Sequence, residues 1–281
     1  MVPRLVHARH AKMMLASANK TDRLDAQGMN RLQRTGTLPA VWIPPEKLRG
    51  QRGLFRTRMV FTQQRTRLKN RIHANLAKYG LRVQEARDAF SKKGRRELLG
   101  CLDRLPEHTR YATETLLEQA DIVIAQIDAL ENRMAAVFAS TEELQLLMSL
   151  PGVGFILAVV ILSEVGDIAR FPAAARFASS SGTTPRVHSS GAKTRYGQLR
   201  ADVNRSLKWA FTEAANSVSQ NRRRYPYRHG SRLYERIRNC KGHQTAIGAV
   251  ARSLAEATFW ILRKREKYRE PSRTKVSSMA G

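Results

Sequence analysis

Apolar positions recur every three or four residues through most of the chain, a period that predicts a mainly α-helical protein. The clearest run lies within residues 107–138. There Leu116, Ala120, Val123, Ile127, Leu130, Met134 and Val137 alternate in steps of four and three, flanked by Glu114, Glu118, Asp121 and Glu131. About three such heptads serve either a helical hairpin with the preceding helix or dimerisation, and spacing alone does not choose between them. Residues 46–79 predict that preceding helix, with Leu54, Phe61, Leu68 and Ile72 along one seam. Residues 150–165, LPGVGFILAVVILSEV, predict a Pro-Gly-x-Gly turn running into a buried apolar helix that Gly166 ends. Phe171 and Pro172 open a further short helix. Residues 203–218 predict a helix that buries Leu207, Ala210, Phe211 and Ala214. Segments 231–240 and 244–263 complete a helical tail with Trp260 and Leu262 in the core, and the polar residues beyond 264 are expected to fray.

The N-terminal part is less periodic. Residues 3–14 alternate loosely and predict one short strand. Residues 19–26, NKTDRLDA, read as a helix start with Thr21 as N-cap and Asp22 in the first turn, where the helix dipole favours an acid. Residues 37–45 contain three prolines and predict a connection. The resulting divisions are 1–45, a basic helical and heptad region at 46–140, a C-terminal domain at 141–270 and a tail at 271–281.

Charge sharpens this picture. The 281 residues carry a formal charge of +27, which makes polyanions the expected partners. Residues 47–84 contain no acid at all while Arg and Lys recur throughout; such a one-sided helix would repel itself, so a nucleic-acid backbone is its expected neighbour. Two distant cysteines, Cys101 and Cys240, form no metal-ligand spacing and no disulfide framework. No apolar run approaches the ~20 residues of a membrane span, and the first residues lack a signal-peptide pattern. The expectation is a soluble cytoplasmic protein with no membrane partner.

Candidate chemistry concentrates in residues 182–210, GTTPRVHSSGAKTRYGQLRADVNRSLKWA. Ser190 precedes Gly191, so a turn can expose its hydroxyl. Arg186, Lys193, Arg195 and Arg200 surround it, with no carboxylate between Pro185 and Leu199. A hydroxyl among cations suits attack on a phosphodiester; a basic loop whose Ser and Gly only make turns is the other reading. Asp22 and Asp25 lie at i and i+3, so both carboxylates point to one helix face. They could hold Mg²⁺ or simply cap and solvate the helix. The glycines of the Pro-Gly-x-Gly turn, Gly152 and Gly154, could expose backbone N–H groups to a DNA phosphate, as in a helix-hairpin-helix module, or serve packing alone. Residues 221–228, NRRRYPYR, mix Arg222, Arg223 and Arg224 with tyrosines, a composition suited to backbone contact and base stacking.

Four stretches together resemble a known family: KTDRLDA at 20–26, LPGVGFILA at 150–158, FASSSGTTPRVHSSGAKTRYGQL at 177–199 and NRSLKWAFTEAANSVSQNRRR at 204–224. The chain is similar to the DEDD-and-serine insertion-sequence transposases, the bridge-RNA-guided recombinases related to Piv-type invertases. The resemblance implies an RNase H-like (resolvase-type) α/β domain with four acidic metal ligands, the last two falling on Asp22 and Asp25. It implies a coiled-coil insertion that aids dimerisation, and a C-terminal domain whose serine, here Ser190, attacks DNA to give a phosphoserine-linked intermediate. Ser189 also carries a hydroxyl, but the residue directly before glycine is the family's position; His188 is given no role. Implied partners are element-end and target DNA, a structured non-coding guide RNA, and further copies of the chain in a dimer or tetramer near the nucleoid.

One departure stands out. Only 19 residues precede Lys20 and they contain no acid, whereas the family's first Asp and its Glu lie upstream of that element. The expectation is therefore a chain truncated at its N-terminus, with only a remnant of the RNase H-like domain and an incomplete Mg²⁺ site. Two functions compete: a serine transposase, or a catalytically inactive nucleic-acid-binding relic of one. A structural nucleoid or ribosome-associated protein would explain the charge but not the Ser-Ser-Gly stretch.

Overall fold

A computed structural model describes residues 5–15, 21–84, 86, 88–190, 193–199 and 203–271. The described residues are mainly helical, as the period predicts, and form two compact units, Met1–Arg49 and Gly50–Gly281.

In the first unit β1 (Leu5–Val6) pairs antiparallel with β2 (Ala40–Val41), Leu5 opposite Val41 and Val6 opposite Ala40. Helices α1 (Ala8–Leu15) and α2 (Asp22–Arg34) lie between them in sequence. The strand expected across residues 3–14 is thus two residues long and gives way to a helix. The proline-rich connection contains β2, because residues 40–43, AVWI, are apolar, and of these Ala40 and Val41 pair with β1. Thr21 caps α2 as the sequence indicates, its Oγ1 accepting from the Leu24 N–H at 3.3 Å.

The second unit begins within α3 (Glu46–Ala77), followed by α4 (Lys92–Leu102) and α5 (Glu107–Phe138). Three pairings step backward along α5 as they advance along α3. The Arg58 guanidinium donates to Glu131 at 2.8 Å, Asn75 Nδ2 to Thr113 Oγ1 at 3.0 Å, and the Tyr79 and Thr109 hydroxyls meet at 3.1 Å. The two long helices therefore form an antiparallel hairpin within one chain. Its far end is closed by Ile72, Leu76, Leu98, Leu102 and Leu117. The buried seam of α5 is Thr113, Leu117, Ala120, Val123, Ile127, Met134 and Phe138. Leu116, Leu130 and Val137 are only half-buried, so the expected heptad seam is rotated at both ends. On α3 the fully buried residues are Phe55, Ile72 and Leu76 rather than Leu54, Phe61 and Leu68.

The main core gathers α6 (Glu142–Met148), α7 (Phe155–Val165), α8 (Ala174–Ser180), α9 (Arg205–Gln220) and α10 (His229–Lys264) around Phe171, Phe177 and Phe211. These rings meet edge-on, at 5.0 Å between Phe171 and Phe177 and 6.1 Å between Phe177 and Phe211, an arrangement their quadrupoles favour. Helix α7 is apolar on nearly every face and is buried accordingly. Helix α10 breaks at Gly242 (φ 81°, ψ 172°), which divides it as the two sequence segments predict. Trp260 is 52% exposed, a correction to its expected core position; on α10 the inward residues around it are Phe259, Ile261 and Leu262. No helix among the described residues is long and apolar enough to cross a membrane.

Candidate functional site

Between α8 and α9 the helical pattern is interrupted by a hairpin of β3 (Pro185–Ser190) and β4 (Lys193–Leu199). The segment read as a turn or basic loop around Ser190 thus consists largely of two paired strands. Val187, Thr194 and Tyr196 are strand-forming residues, and Gly-Ala between two such runs is the signal of a two-residue hairpin turn. The register sets Ser190 opposite Lys193, Ser189 opposite Thr194 and His188 opposite Arg195, with an irregularity between Pro185 and Val187. Ser190 ends its strand at the hairpin tip and is exposed, as are Arg186 and Arg195. Gly191 and Arg200 lie outside the described residues.

The root of the hairpin is held by polar contacts. Thr183 Oγ1 donates to the Ala178 carbonyl at 2.9 Å, and the Asn204 N–H to the Ser180 carbonyl at 3.3 Å. Asn204 also caps α9, its Oδ1 accepting from the N–H groups of Ser206 and Leu207 at 3.0 Å each. Its Nδ2 donates to Glu164 Oε2 at 2.7 Å. Glu164 has a side chain 0% exposed, and its other oxygen accepts from Arg56 at 2.6 Å. Arg52 adds a contact at 3.5 Å and donates to the Ser163 and Glu164 carbonyls. Burial lowers the Arg52 guanidinium pKa below its usual value, with Glu164 acting against that shift and Arg56 adding to it. Burial likewise lowers Arg170, which donates to the Val165 carbonyl at 3.1 Å. Glu164 is not among the sequence-predicted residues, although a single acid inside an apolar helix is the available signal.

The two glycines of the turn before α7 differ. Gly152 has φ +81°, and a Cβ there would stand 2.3 Å from the Ala214 carbonyl oxygen of α9. Its Cα is therefore closely packed against α9, one of the two roles that the sequence leaves open for this turn. Gly154, the N-cap of α7, faces open space. Gly152 is brought together with the Arg-Tyr stretch, since it lines a cavity of about 230 Å³ with Asn221, Tyr225 and Arg228. Arg223 and Arg224 are exposed. Arg222 is instead engaged by Glu235, donates to the Ser219 carbonyl at 2.8 Å and lies over the Tyr234 ring.

Asp22 and Asp25 occupy the first turn of α2, Asp22 exposed and Asp25 half-buried. No group of three or more His, Cys, Asp or Glu side chains assembles among the described residues. Two carboxylates one turn apart can supply two of the six oxygens that Mg²⁺ requires, but not the fixed shell of a resident centre. The donor set fits an incomplete site only.

Two segments match transposase profiles. Residues 1–81 match a transposase profile of the DEDD, IS110 type, and residues 144–229 match "Transposase IS116/IS110/IS902 family". The chain is 25% identical to the transposase for insertion sequence element IS1111A of Coxiella burnetii, over 94% of this chain and 72% of that protein. It is 23% identical to the transposase for insertion sequence element IS1328 of Yersinia enterocolitica, over 87% of this chain and 72% of that protein. It is 30% identical to a 43.6 kDa protein of insertion element IS110 of Streptomyces coelicolor, over 68% of this chain and 49% of that protein. The matches thus span 49% to 72% of these relatives' lengths. Both matched segments are those of transposases. The chain belongs to the IS110/IS116/IS902 family of insertion-sequence transposases.

Proposed function

We propose that this protein cleaves and exchanges DNA strands with Ser190 as nucleophile. The observation that carries the reading is the exposed Ser190 at a hairpin tip, opposite Lys193 and two register positions from Arg195, inside the segment shared with transposases. In the step, Ser190 Oγ bonds to phosphorus and loses its proton to solvent, while one phosphorus–oxygen ester bond to deoxyribose breaks and the released oxygen takes a proton. The ester linkage is conserved in the phosphoserine, so a free deoxyribose hydroxyl of another strand can reverse the step and join strands. Arg186, Lys193, Arg195 and Arg200 are the groups assigned to the phosphate oxygens. Asp22 and Asp25 would supply part of a Mg²⁺ shell, whose ion stabilises charge on phosphate oxygens when bound. A structured non-coding RNA selects the DNA sites, and copies of the chain assemble on them as a dimer or tetramer.

A second reading is a nucleic-acid-binding protein without chemistry, favoured by the two carboxylates that no third ligand joins among the described residues. Trapping on element-end DNA with RNA and Mg²⁺, for the chain and its Ser190→Ala variant, separates these. A denaturation-resistant protein–DNA adduct that needs Ser190 supports the serine reaction. Cleavage without an adduct transfers the chemistry to the carboxylates, and retention of nucleic acid without cleavage leaves the binding protein.

A further inference from the structure

The cavity beside Gly152 lies where the C-terminal end of α9, the N-terminal end of α10 and the turn before α7 meet. Its polar lining consists of Ser217, Asn221, Tyr225, Arg228 and Ser231, with no carboxylate among the lining residues. The only full charge it offers is therefore positive, which selects an anionic or neutral guest. At about 230 Å³ it falls below the ~300–1,000 Å³ of pockets for larger small-molecule ligands, and it is a recess rather than the groove a double helix needs.

Each wall suits part of one nucleotide. The Arg228 guanidinium lies 4.1 Å from the Tyr225 ring centroid and Arg224 lies 5.3 Å from it. Guanidinium and aromatic ring together make a platform of the kind on which unpaired bases lie. Asn221 donates from Nδ2 to the Ser217 carbonyl at 2.9 Å. This fixes the amide plane and leaves its oxygen and second N–H as a donor–acceptor pair. Ser231 is 3% exposed and lines the cavity, where its hydroxyl can donate to or accept from a polar guest. Outside, the exposed Arg223 and Arg224 offer charge to the flanking phosphodiesters.

We infer that this cavity takes a single unpaired nucleotide, its base stacked against the Tyr225–Arg228 pair and its polar edge met by Asn221 and Ser231. The inference rests on reading the chain as a protein that handles nucleic acid, but not on any role for Ser190. The guest's chemistry is common to DNA and RNA. The site is thus a means of gripping a strand opened from its duplex, or an unpaired position of a folded RNA.

The test uses the full chain and oligonucleotides with 2-aminopurine at one unpaired position in an otherwise paired duplex, made as DNA and as RNA, beside fully paired controls. Binding should quench the 2-aminopurine fluorescence. Tyr225→Ala should weaken binding of the unpaired-position probe about tenfold, with less than about a twofold change for the paired control, while Tyr225→Phe binds as the original chain does. Ser231→Val, which fills the recess, should cause the same selective loss, with circular dichroism confirming that each variant stays helical. The arm with the stronger quench identifies the strand type, and quench in either supports the site. Equal weakening on paired and unpaired probes, or none in both Tyr225→Ala and Ser231→Val, overturns it. Ser190→Ala should leave the quench intact. If no adduct ever forms while the Tyr225-dependent quench persists, the strand-exchange reading falls and the nucleotide site stands; adduct formation with Tyr225-independent binding has the reverse meaning.

Discussion

Asn204 joins the cap of one helix to a buried acid of another: its amide oxygen takes two N–H groups at the start of α9 while its amide nitrogen donates to Glu164 at 2.7 Å. Because β4 ends five positions before Asn204, this contact also fixes where the Ser190 hairpin leaves the core. Glu164→Gln keeps the shape but removes the charge that faces Arg52 and Arg56. Breaking a buried pair from one side costs about 3 kcal/mol or more, and the exposed Arg56 argues for the lower end. Urea unfolding should show a loss of about 3 kcal/mol; a change under about 1 kcal/mol would mean that Arg52 is satisfied by the carbonyls and Arg56 by solvent.

Gly152 and Gly154 make opposite predictions from one turn. Gly152→Ala places a Cβ 2.3 Å from a backbone oxygen at φ +81°, so both strain and overpacking act, together about 3 kcal/mol or more. Gly154→Ala meets open space and should cost less than about 1 kcal/mol. Melting temperatures of the two variants check this, and equal effects would show that the turn is not packed against α9 in solution.

Legibility followed local physics. Thr21 as a cap, the apolar α7, the buried side of α9 and the division of the tail near Gly242 were readable because each depends on neighbours in sequence. The α5 seam was readable only in its middle, at Ala120, Val123, Ile127 and Met134, because its ends turn to follow different partners. The hairpin was hidden by the helical period around it, although Val187, Thr194 and Tyr196 favour strand. The Ser-Gly step and basic neighbours single out Ser190 in the sequence, but its exposed place at the hairpin tip depends on the strand pairing. Glu164 could not be given its partners, since Arg52 and Asn204 lie 112 and 40 positions away, and the cavity at Tyr225 depends on Gly152, which packing alone brings near.

The hairpin of α3 and α5 predicts compensation within a single chain. Arg58→Glu should set two acids against each other at Glu131 and lower stability by about 1 kcal/mol, and adding Glu131→Arg should recover most of it. Denaturant titration at low protein concentration checks this. Recovery only at high concentration would assign the pair to a contact between copies.

Tyr268 reports on the docking of the residues after α10. Burial first, then the neighbouring Glu270, pushes its hydroxyl up to about 12 from an ordinary value near ~10. A raised pKa means that the folded state holds the proton longer than the unfolded chain does. The contribution to stability is whole below about pH 10 and is lost as pH rises towards 12. Phenolate absorbance should show one late-titrating tyrosine that Tyr268→Phe removes. Its absence would place Tyr268 in solvent.

The arginines at 222–224 separate support from binding. Arg222 is held by Glu235 and the Ser219 carbonyl, so Arg222→Ala should lower stability while leaving the salt dependence of DNA binding nearly unchanged. Arg223 and Arg224 are exposed and can meet phosphates, Arg224 from its place 5.3 Å from the Tyr225 ring centroid. Removing one cation from a phosphate lowers the slope of log affinity against log salt by about 1. Arg223→Ala and Arg224→Ala should each produce that reduction and leave urea unfolding unchanged. The same slope in all three variants would move the basic interface elsewhere, to the acid-free helix α3 or the strands beside Ser190. A reduced slope in Arg222→Ala alone would mean that the Glu235 pair opens when nucleic acid binds.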